Sequence, residues 1–350
     1  MKQIRTEDAE GTVLCHDITQ IIPGVVKDAV FRKGHIVTKE DIPVLLSVGK
    51  EHLYVWEKEE GMLHENEAAQ VLRSFCQGSF MKASEPKEGK IELTAACDGL
   101  FKIHREGLKT VNSFGRMMIA TRHGDTAVKR GDKLAGTRII PLMIEEEIMQ
   151  KAKDAVLKCT GGAPILELKP WKHKKVGVIT TGNEVYAGLI QDAFTPVILE
   201  KLKEFDTELL EHVIWNDDDE KVTASILKQI AVGADMVICT GGMSVDPDDR
   251  TPLGIKNTGA RVVSYGAPVL PGAMFLLAYY ETEDRTVPIL GLPGCVMYAK
   301  RTIFDLVLPR VMADDLVTAE ELAALGEGGL CLNCPVCVYP NCGFGKGRAN

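Results

Sequence analysis

The sequence predicts an α/β protein, with a mainly parallel sheet and helices on both its faces over residues 174–312, preceded by mixed α/β and β-rich segments. Three observations carry this. Apolar runs within 175–184, 235–249 and 287–295 each empty into a polar, Gly-containing loop. Between the first two lie helix-spaced apolar residues, Ile198, Leu202 and Phe205, then Val222, Ile226, Leu227 and Ile230. Short apolar runs that end at Gly and are separated by helices read as parallel strands. Open sheets of this kind bind ligands at the carboxyl ends of their strands, so the three loops outline one candidate site.

The elements follow in order. Residues 1–67 form an N-terminal α/β segment. It contains a helix over 39–49, with Ile42, Val44, Leu45 and Leu46 on its apolar side, then a strand running into Trp56. The charged residues 58–67 read as a surface turn or linker. Residues 68–170 form a β-rich middle domain: a helix over 68–77 opens it, and the alternating segments 98–103 and 126–142 turn at Gly like a small barrel. A helix over 145–157 leads through a Gly-containing connection, 159–170, into the domain at 174–312. There Asp217, Asp218, Asp219 and Glu220 precede a helix, where acids cap free amides and complement the helix dipole. A last helix is expected over 296–307. Residues 313–350 form a tail with one helical segment, 319–325, and a Gly/Cys-rich end.

Composition narrows the classes. At 350 residues the chain exceeds one average domain. Its hydrophobic fraction of 45% and mean hydropathy near zero suit a globular protein. A net charge of −8 argues against nucleic-acid or anionic-membrane partners. The longest apolar runs, such as 273–280, are too short to span a bilayer. With no apolar leader pattern at Met1, the expected location is the cytoplasm. Ten cysteines include four in the last twenty residues, which in a cytosolic chain suggests metal before disulfide.

The loops carry the chemistry. Thr181, Gly182, Asn183 and Glu184 follow the first strand. Gly182 permits a tight turn, the Thr181 hydroxyl and loop amides can donate to phosphate, and Glu184 can hold a hard cation. Taken alone, this is also how an ordinary strand-to-helix turn reads. The second loop is more specific. Gly241 and Gly242 let backbone amides approach an anion, Ser244 adds a hydroxyl, and Asp246, Asp248 and Asp249 follow. Carboxylates beside an anion-binding loop make electrostatic sense when a cation or a hydroxyl-rich ligand lies between them.

Together these pieces resemble the molybdopterin-binding domain shared by the MogA-type adenylyltransferases and the MoeA/gephyrin E-domain molybdenum insertases. The match runs in family order: Thr181 to Glu184; Asp217 and Asp218 before a helix; Gly241, Gly242, Ser244, Asp249 and Thr251; Pro271 and Gly272; then Gly291, Pro293 and Gly294. A weaker likeness to MoeA around Gly11 to His16 and Arg32 to Gly49 favours the insertase branch. The resemblance implies that Glu184, Asp217 and Asp249 surround pterin phosphate, magnesium and molybdate, with Glu184 and Asp249 on the magnesium. Thr181, Gly182, Gly241, Gly242, Ser244, Pro271, Gly272, Gly291, Pro293 and Gly294 would line the pterin. It also implies a homodimer. Three departures stand out: Asn183 replaces an Asp, Ala273 and Met274 replace a Lys-Pro pair, and Cys295 and Val296 replace Asn-Pro. Two functions stay open. One is a molybdopterin molybdenumtransferase that inserts molybdate. The other is a non-catalytic molybdopterin carrier or maturation chaperone for a client molybdoenzyme. Cys295 reads as a small loop thiol or as a soft-metal ligand.

The tail spacing is Cys331-x2-Cys334-x2-Cys337-x4-Cys342. Four thiolates this close suit a Zn²⁺ ion or an Fe–S cluster, and three at successive x2 spacing resemble ferredoxin ligation more than zinc knuckles. A disordered, reduced tail is the alternative. Because the sheet closes before it, loss of residues 328–350 is expected to leave the domain folded.

Overall fold

A computed structural model of the chain describes residues 2–22, 26–55 and 60–347. Trp56 and part of the expected turn at 58–67 lie outside the described residues. The chain packs as two compact units. The first holds the residues up to Ala96 with Ile103–Arg122 and Gly131–Glu167; the second holds Cys97–Lys102, His123–Arg130 and everything from Leu168.

The chain opens with β1 (Lys2–Arg5), β2 (Ile18–Ile22), β3 (Val26–Phe31), α1 (Asp41–Ser47) and β4 (His52–Val55), with β1 antiparallel to β4 and β2 to β3. Ala9, Leu14, Ile18, Val37, Leu45 and Leu53 form their core. α1 is shorter than its spacing suggested: it buries Leu45, whereas Val44 and Leu46 are exposed.

There follow β5 (Met62–His64), α2 (Glu65–Cys76), β6 (Met81–Ala83), β7 (Lys90–Ala95), β8 (Gly99–Ile103), α3 (Arg105–Ser113), β9 (Met117–Thr121), β10 (Thr126–Val128), β11 (Lys133–Ile139), β12 (Met143–Glu145), α4 (Glu146–Thr160) and β13 (Leu166–Pro170). β5 pairs with β12, so part of the expected linker is a strand. α2 starts at Glu65 because His64 caps it: the His64 ring accepts the Asn66 N–H, and the Glu67 carboxylate accepts the His64 N–H. In place of a barrel stands an open antiparallel sheet ordered β6-β7-β11-β9. The run 126–142, read as one β segment, breaks at Gly131, whose φ is +92°. β10 then joins a separate sheet, β10-β8-β13.

The second unit continues with β14 (Lys174–Thr181), α5 (Asn183–Tyr186), α6 (Phe194–Leu202), β15 (Thr207–Trp215), α7 (Asp219–Ala231), β16 (Met236–Thr240), α8 (Thr251–Asn257), β17 (Arg261–Tyr265), β18 (Leu276–Glu281), β19 (Thr286–Leu292), α9 (Ile303–Met312) and α10 (Ala319–Ala324). The sheet order is β15-β14-β16-β19-β18-β17. The first four strands are parallel; β18 and β17 are antiparallel. The α/β class with helices on both faces therefore holds. Val176, Val178, Ile238, Leu290 and Leu292 face α6 and α9, which contribute Ile198, Leu202, Phe304 and Val307. Their strand neighbours Ile179, Val237, Cys239 and Ile289 face α7 and α8, which contribute Val222, Ile226 and Ile255. Successive strand residues point to opposite faces, so strands buried on both sides read as unbroken apolar runs.

Two expectations are corrected here. The helix expected over 296–307 is a short 3₁₀ turn, Gly294–Met297, followed by α9, which the Thr302 and Asp305 side chains start with a capping box. The tail is also part of the core: Phe344 is 4% exposed and packs in the cluster with α9.

Candidate functional site

Strand register brings the predicted loops to one edge of the sheet. Thr180 pairs with Thr240, and Thr240 with Leu292, so the chain leaves β14, β16 and β19 side by side. β18 runs the other way, with Leu276 opposite Gly291, so Pro271 and Gly272 precede it at the same edge.

Thr181 and the double glycine interlock. A Cβ on Gly241 would collide with the Thr181 carbonyl oxygen, and φ there is +83°. Only glycine accepts both constraints. A Cβ on Gly242 would lie 2.9 Å from Thr251 Oγ1 and 3.0 Å from both Thr181 Oγ1 and Asp217 Oδ1. Three oxygens thus close on the Gly242 backbone too tightly for a Cβ. The buried Thr181 and Thr251 hydroxyls hydrogen-bond each other at 2.8 Å. Gly182 caps α5, its N–H donating to the Trp215 carbonyl at 3.1 Å.

Asp217 joins from the end of β15. Its Oδ2 accepts the Asn183 N–H at 3.1 Å, while its own N–H donates to Asn183 Oδ1 at 3.4 Å. Asn183, where the resemblance expects an Asp, therefore braces Asp217. Asp217 Oδ1 is buried without a hydrogen-bond partner, as is Thr240 Oγ1 at the end of β16. Burial raises the Asp217 pKa above the ordinary range, and the charges of Asp249 and Glu184 push the same way, against the Asn183 N–H and the nearby Thr181 hydroxyl. Three acids from three loops therefore share one field. Asp249 folds its own loop, with Oδ2 accepting the Ser244 N–H at 2.7 Å. Glu184 is exposed on α5.

Other predicted residues have packing reasons. A Cβ on Gly291 would meet Met243 Cε at 2.5 Å, so Gly291 makes room for the buried Met243 and ties the second loop to β19. A Cβ on Gly272 would collide with the Ile303 side chain at the start of α9. The Pro271 carbonyl accepts the Ile303 N–H at 3.2 Å. Pro293 precedes the 3₁₀ turn, and Gly294 opens it facing open space. Cys295 is half-buried, and burial raises its thiol pKa, which disfavours a thiolate ligand.

Sequence reasoning missed Tyr265 and the Tyr186–Trp215–Lys221 group. The Tyr265 hydroxyl lies 3.1 Å from the Met243 carbonyl and 3.2 Å from that of Ser244, bracing the second loop. Lys221 stands 5.7 Å from the Trp215 ring centroid and 5.9 Å from that of Tyr186, beside Asn216. Trp215 and Tyr265 belong to the edge strands β15 and β17, and Tyr186 and Lys221 to α5 and α7, where the apolar pattern carries no site signal.

Among the described residues, no three His, Cys, Asp or Glu side chains converge as a site for one metal ion. The acids still suit magnesium, which takes one or two carboxylates and fills its shell with phosphate oxygens and water. The orphaned Asp217 Oδ1 is such an acceptor. Cys331 and Cys342 pack beside the core while Cys334 and Cys337 are exposed, so the tail thiols do not meet at one point.

Residues 177–313 match a family described as probable molybdopterin binding domain, and residues 3–57 match a domain of unknown function. A molybdopterin adenylyltransferase of Pyrococcus furiosus is 30% identical over 144 residues, 37% of this chain and 82% of that protein. A molybdopterin molybdenumtransferase of Nostoc is 26% identical over 167 residues, 46% of this chain and 36% of its own length. A CinA-like protein of Mycobacterium is 34% identical over 77 residues, and the chain spans 18% of it. The solved structure of the tungsten cofactor synthesizing protein MoaB from Pyrococcus furiosus shares 26% identity. It covers 36% of this chain and 84% of its own, with a TM-score of 0.32.

Proposed function

The chain belongs to the molybdopterin-binding family of molybdenum cofactor biosynthesis, and from that we propose that residues 174–312 bind molybdopterin, free or adenylylated, and insert molybdate into it. One observation carries the site: the Thr181 and Thr251 hydroxyls and the Asp217 carboxylate, from three separate segments, close around the Gly242 backbone at the strand ends. Thr181 and the Gly241–Gly242 amides would hold the pterin phosphate. Glu184 and Asp249 would hold Mg²⁺, whose charge offsets phosphate and oxoanion. Asp217 would orient water or molybdate. Ser244, Gly182 and the Pro271–Gly272 and Gly291–Gly294 turns would complete the walls.

A carrier or maturation chaperone that hands the pterin to a client molybdoenzyme is the second reading. It is favoured by Ala273 and Met274, which stand where the resemblance expects a Lys-Pro pair. In either role the protein acts in the cytoplasm as a homodimer.

The test is Glu184→Ala and Asp249→Ala in full-length protein whose dimeric state is checked by light scattering. Each removes a cation ligand and no core packing, so both variants should fold, bind pterin with modest weakening and lose magnesium-dependent molybdate insertion. Wild-type protein that binds pterin and never inserts molybdate selects the carrier. Variants that mature a reporter molybdoenzyme at the wild-type rate rule out the acids as the site.

A further inference from the structure

The tail cysteines fail to converge, yet they are not scattered. Cys331, Cys334, Cys337 and Cys342 all line one cavity of about 480 Å³. Lys300 and Arg301 line it too, and no carboxylate does. The segment is anchored at several points. Cys331 N–H donates to the Leu270 carbonyl at 2.8 Å, Leu270 N–H to the Gly329 carbonyl at 2.8 Å, and the Tyr339 hydroxyl to the Asp305 carbonyl at 3.0 Å. The Lys300 ammonium reaches the Pro335 carbonyl at 3.2 Å. Between Cys331 and Cys342 the chain forms no helix or strand, and Asn333 sits in the left-handed region at φ +49°. A segment so poor in its own packing, held around a hollow, leaves that hollow as its most distinctive feature.

We propose that this cavity is an iron–sulfur cluster site with Cys331, Cys334, Cys337 and Cys342 as ligands. Geometry separates the cluster from a single ion. Zinc draws four sulfurs to about 2.3 Å from one point, and among the described residues no three such groups converge that way. A cluster places its ligands on separate irons, so its thiolates ring a volume. A hollow of 480 Å³ lies in the range of about 300–1,000 Å³ typical of small-ligand pockets, far more than an ion occupies. Charge agrees. A thiolate-ligated cluster is anionic, and Lys300 and Arg301 place two cations on the cavity wall. Arg301 is shared with Asp305 and Glu204, whereas the ammonium of Lys300 meets only a carbonyl among its hydrogen-bond partners. All-sulfur ligation is also the set that iron–sulfur clusters take. The site does not depend on the pterin reading, and either can fail alone.

The experiment uses the full chain, purified without oxygen and incubated with ferric iron, sulfide and an excess thiol that supplies the electrons for partial reduction of the iron. Iron and acid-labile sulfide should be bound in equal amounts, more than one of each per chain, with a brown colour. Cys334→Ser and Cys337→Ser change exposed side chains, so they should fold as the parent does by circular dichroism and lose most of the bound iron. Cys97→Ser, outside the cavity, should keep it. One zinc per chain after growth with both metals, or four tail thiols that still titrate freely after reconstitution, overturns the proposal. So does iron retained in both serine variants.

Discussion

A methyl group on Gly242 would crowd the Thr181 and Thr251 hydroxyls and Asp217 Oδ1, which stand 2.9–3.0 Å from where it would lie. The backbone there has φ +52°, so a non-glycine residue also costs about 1–2 kcal/mol. Gly242→Ala therefore displaces these three groups with the smallest possible probe. If they face the phosphate or its metal, pterin affinity should fall by roughly tenfold or more, the equivalent of about 1.4 kcal/mol or more. Thermal unfolding should shift by only a few degrees. Unchanged affinity, measured by titration calorimetry, would show that the ligand lies elsewhere along the strand ends. Gly241→Ala is a poor substitute, because its methyl collides with the Thr181 carbonyl and damages the loop itself. The sequence marked both glycines and not this difference. Which glycine borders side-chain oxygens and which borders backbone depends on how two loops meet, and neither loop's residues encode that alone.

At the level of elements, α7 shows how local chemistry fixes the site's frame. Asp218 Oδ1 accepts the N–H groups of Glu220 and Lys221 at 3.1 and 3.2 Å, and it follows Asp217 directly. Asp218→Ala should cost about 1 kcal/mol, the usual worth of an N-cap. A matching shift in the urea midpoint would measure it, and an unchanged midpoint would mean water replaces the cap at no cost. This cap was legible because acids before an apolar helical pattern have a purely local cause. So were β14, β16 and β19, whose burial on both faces leaves continuous apolar runs. β15 and β17 were not legible. They are the edge strands, half-buried and interrupted by Glu208, Glu211 or Arg261, and they gain their order from a neighbour. α3 hid for another reason. Gly107 and its many polar residues weaken the helical pattern, yet a Cβ on Gly107 would lie 2.9 Å from Thr160 Cγ2 at the end of α4. Close helix packing selected a residue that propensity alone penalises.

Across the whole second unit, residues distant in sequence meet at Asp315. Its carboxylate accepts from Arg310 Nε at 2.6 Å, Lys102 Nζ at 2.6 Å and Lys169 Nζ at 2.8 Å. Lys102 belongs to the 97–102 excursion and Lys169 to β13, so one acid just beyond α9 gathers three chain segments that the spacing of residues gave no reason to join. The tail does the same with apolar contacts through Phe344, which is why deletion of 328–350 opens the core and is no clean test of the cysteines. Burial alone would raise the Asp315 pKa, but Arg310 and the hydrogen bonds from Lys102 and Lys169 outweigh it and hold the carboxyl down to about 2 from an ordinary 3.8. A depressed acid stabilises the fold fully above its unfolded pKa, and that contribution is lost as pH falls through the folded one. The window here runs from 3.8 down to about 2. Asp315 is 7% exposed, so solvent screens the cluster little. The stability at stake is on the order of 2 kcal/mol. Urea unfolding followed by Trp fluorescence should therefore show the wild type losing that amount across this window. Asp315→Asn should start lower by about 1.5–3 kcal/mol at neutral pH, because Arg310, Lys102 and Lys169 lose the charged acceptor they share, while Arg310 keeps Glu321 and Lys102 keeps Asp125. It should also lose less stability than the wild type on acidification through the same window. Parallel acid profiles for the two proteins would mean that Asp315 does not set the acid limit, and that other carboxylates unfold the unit first.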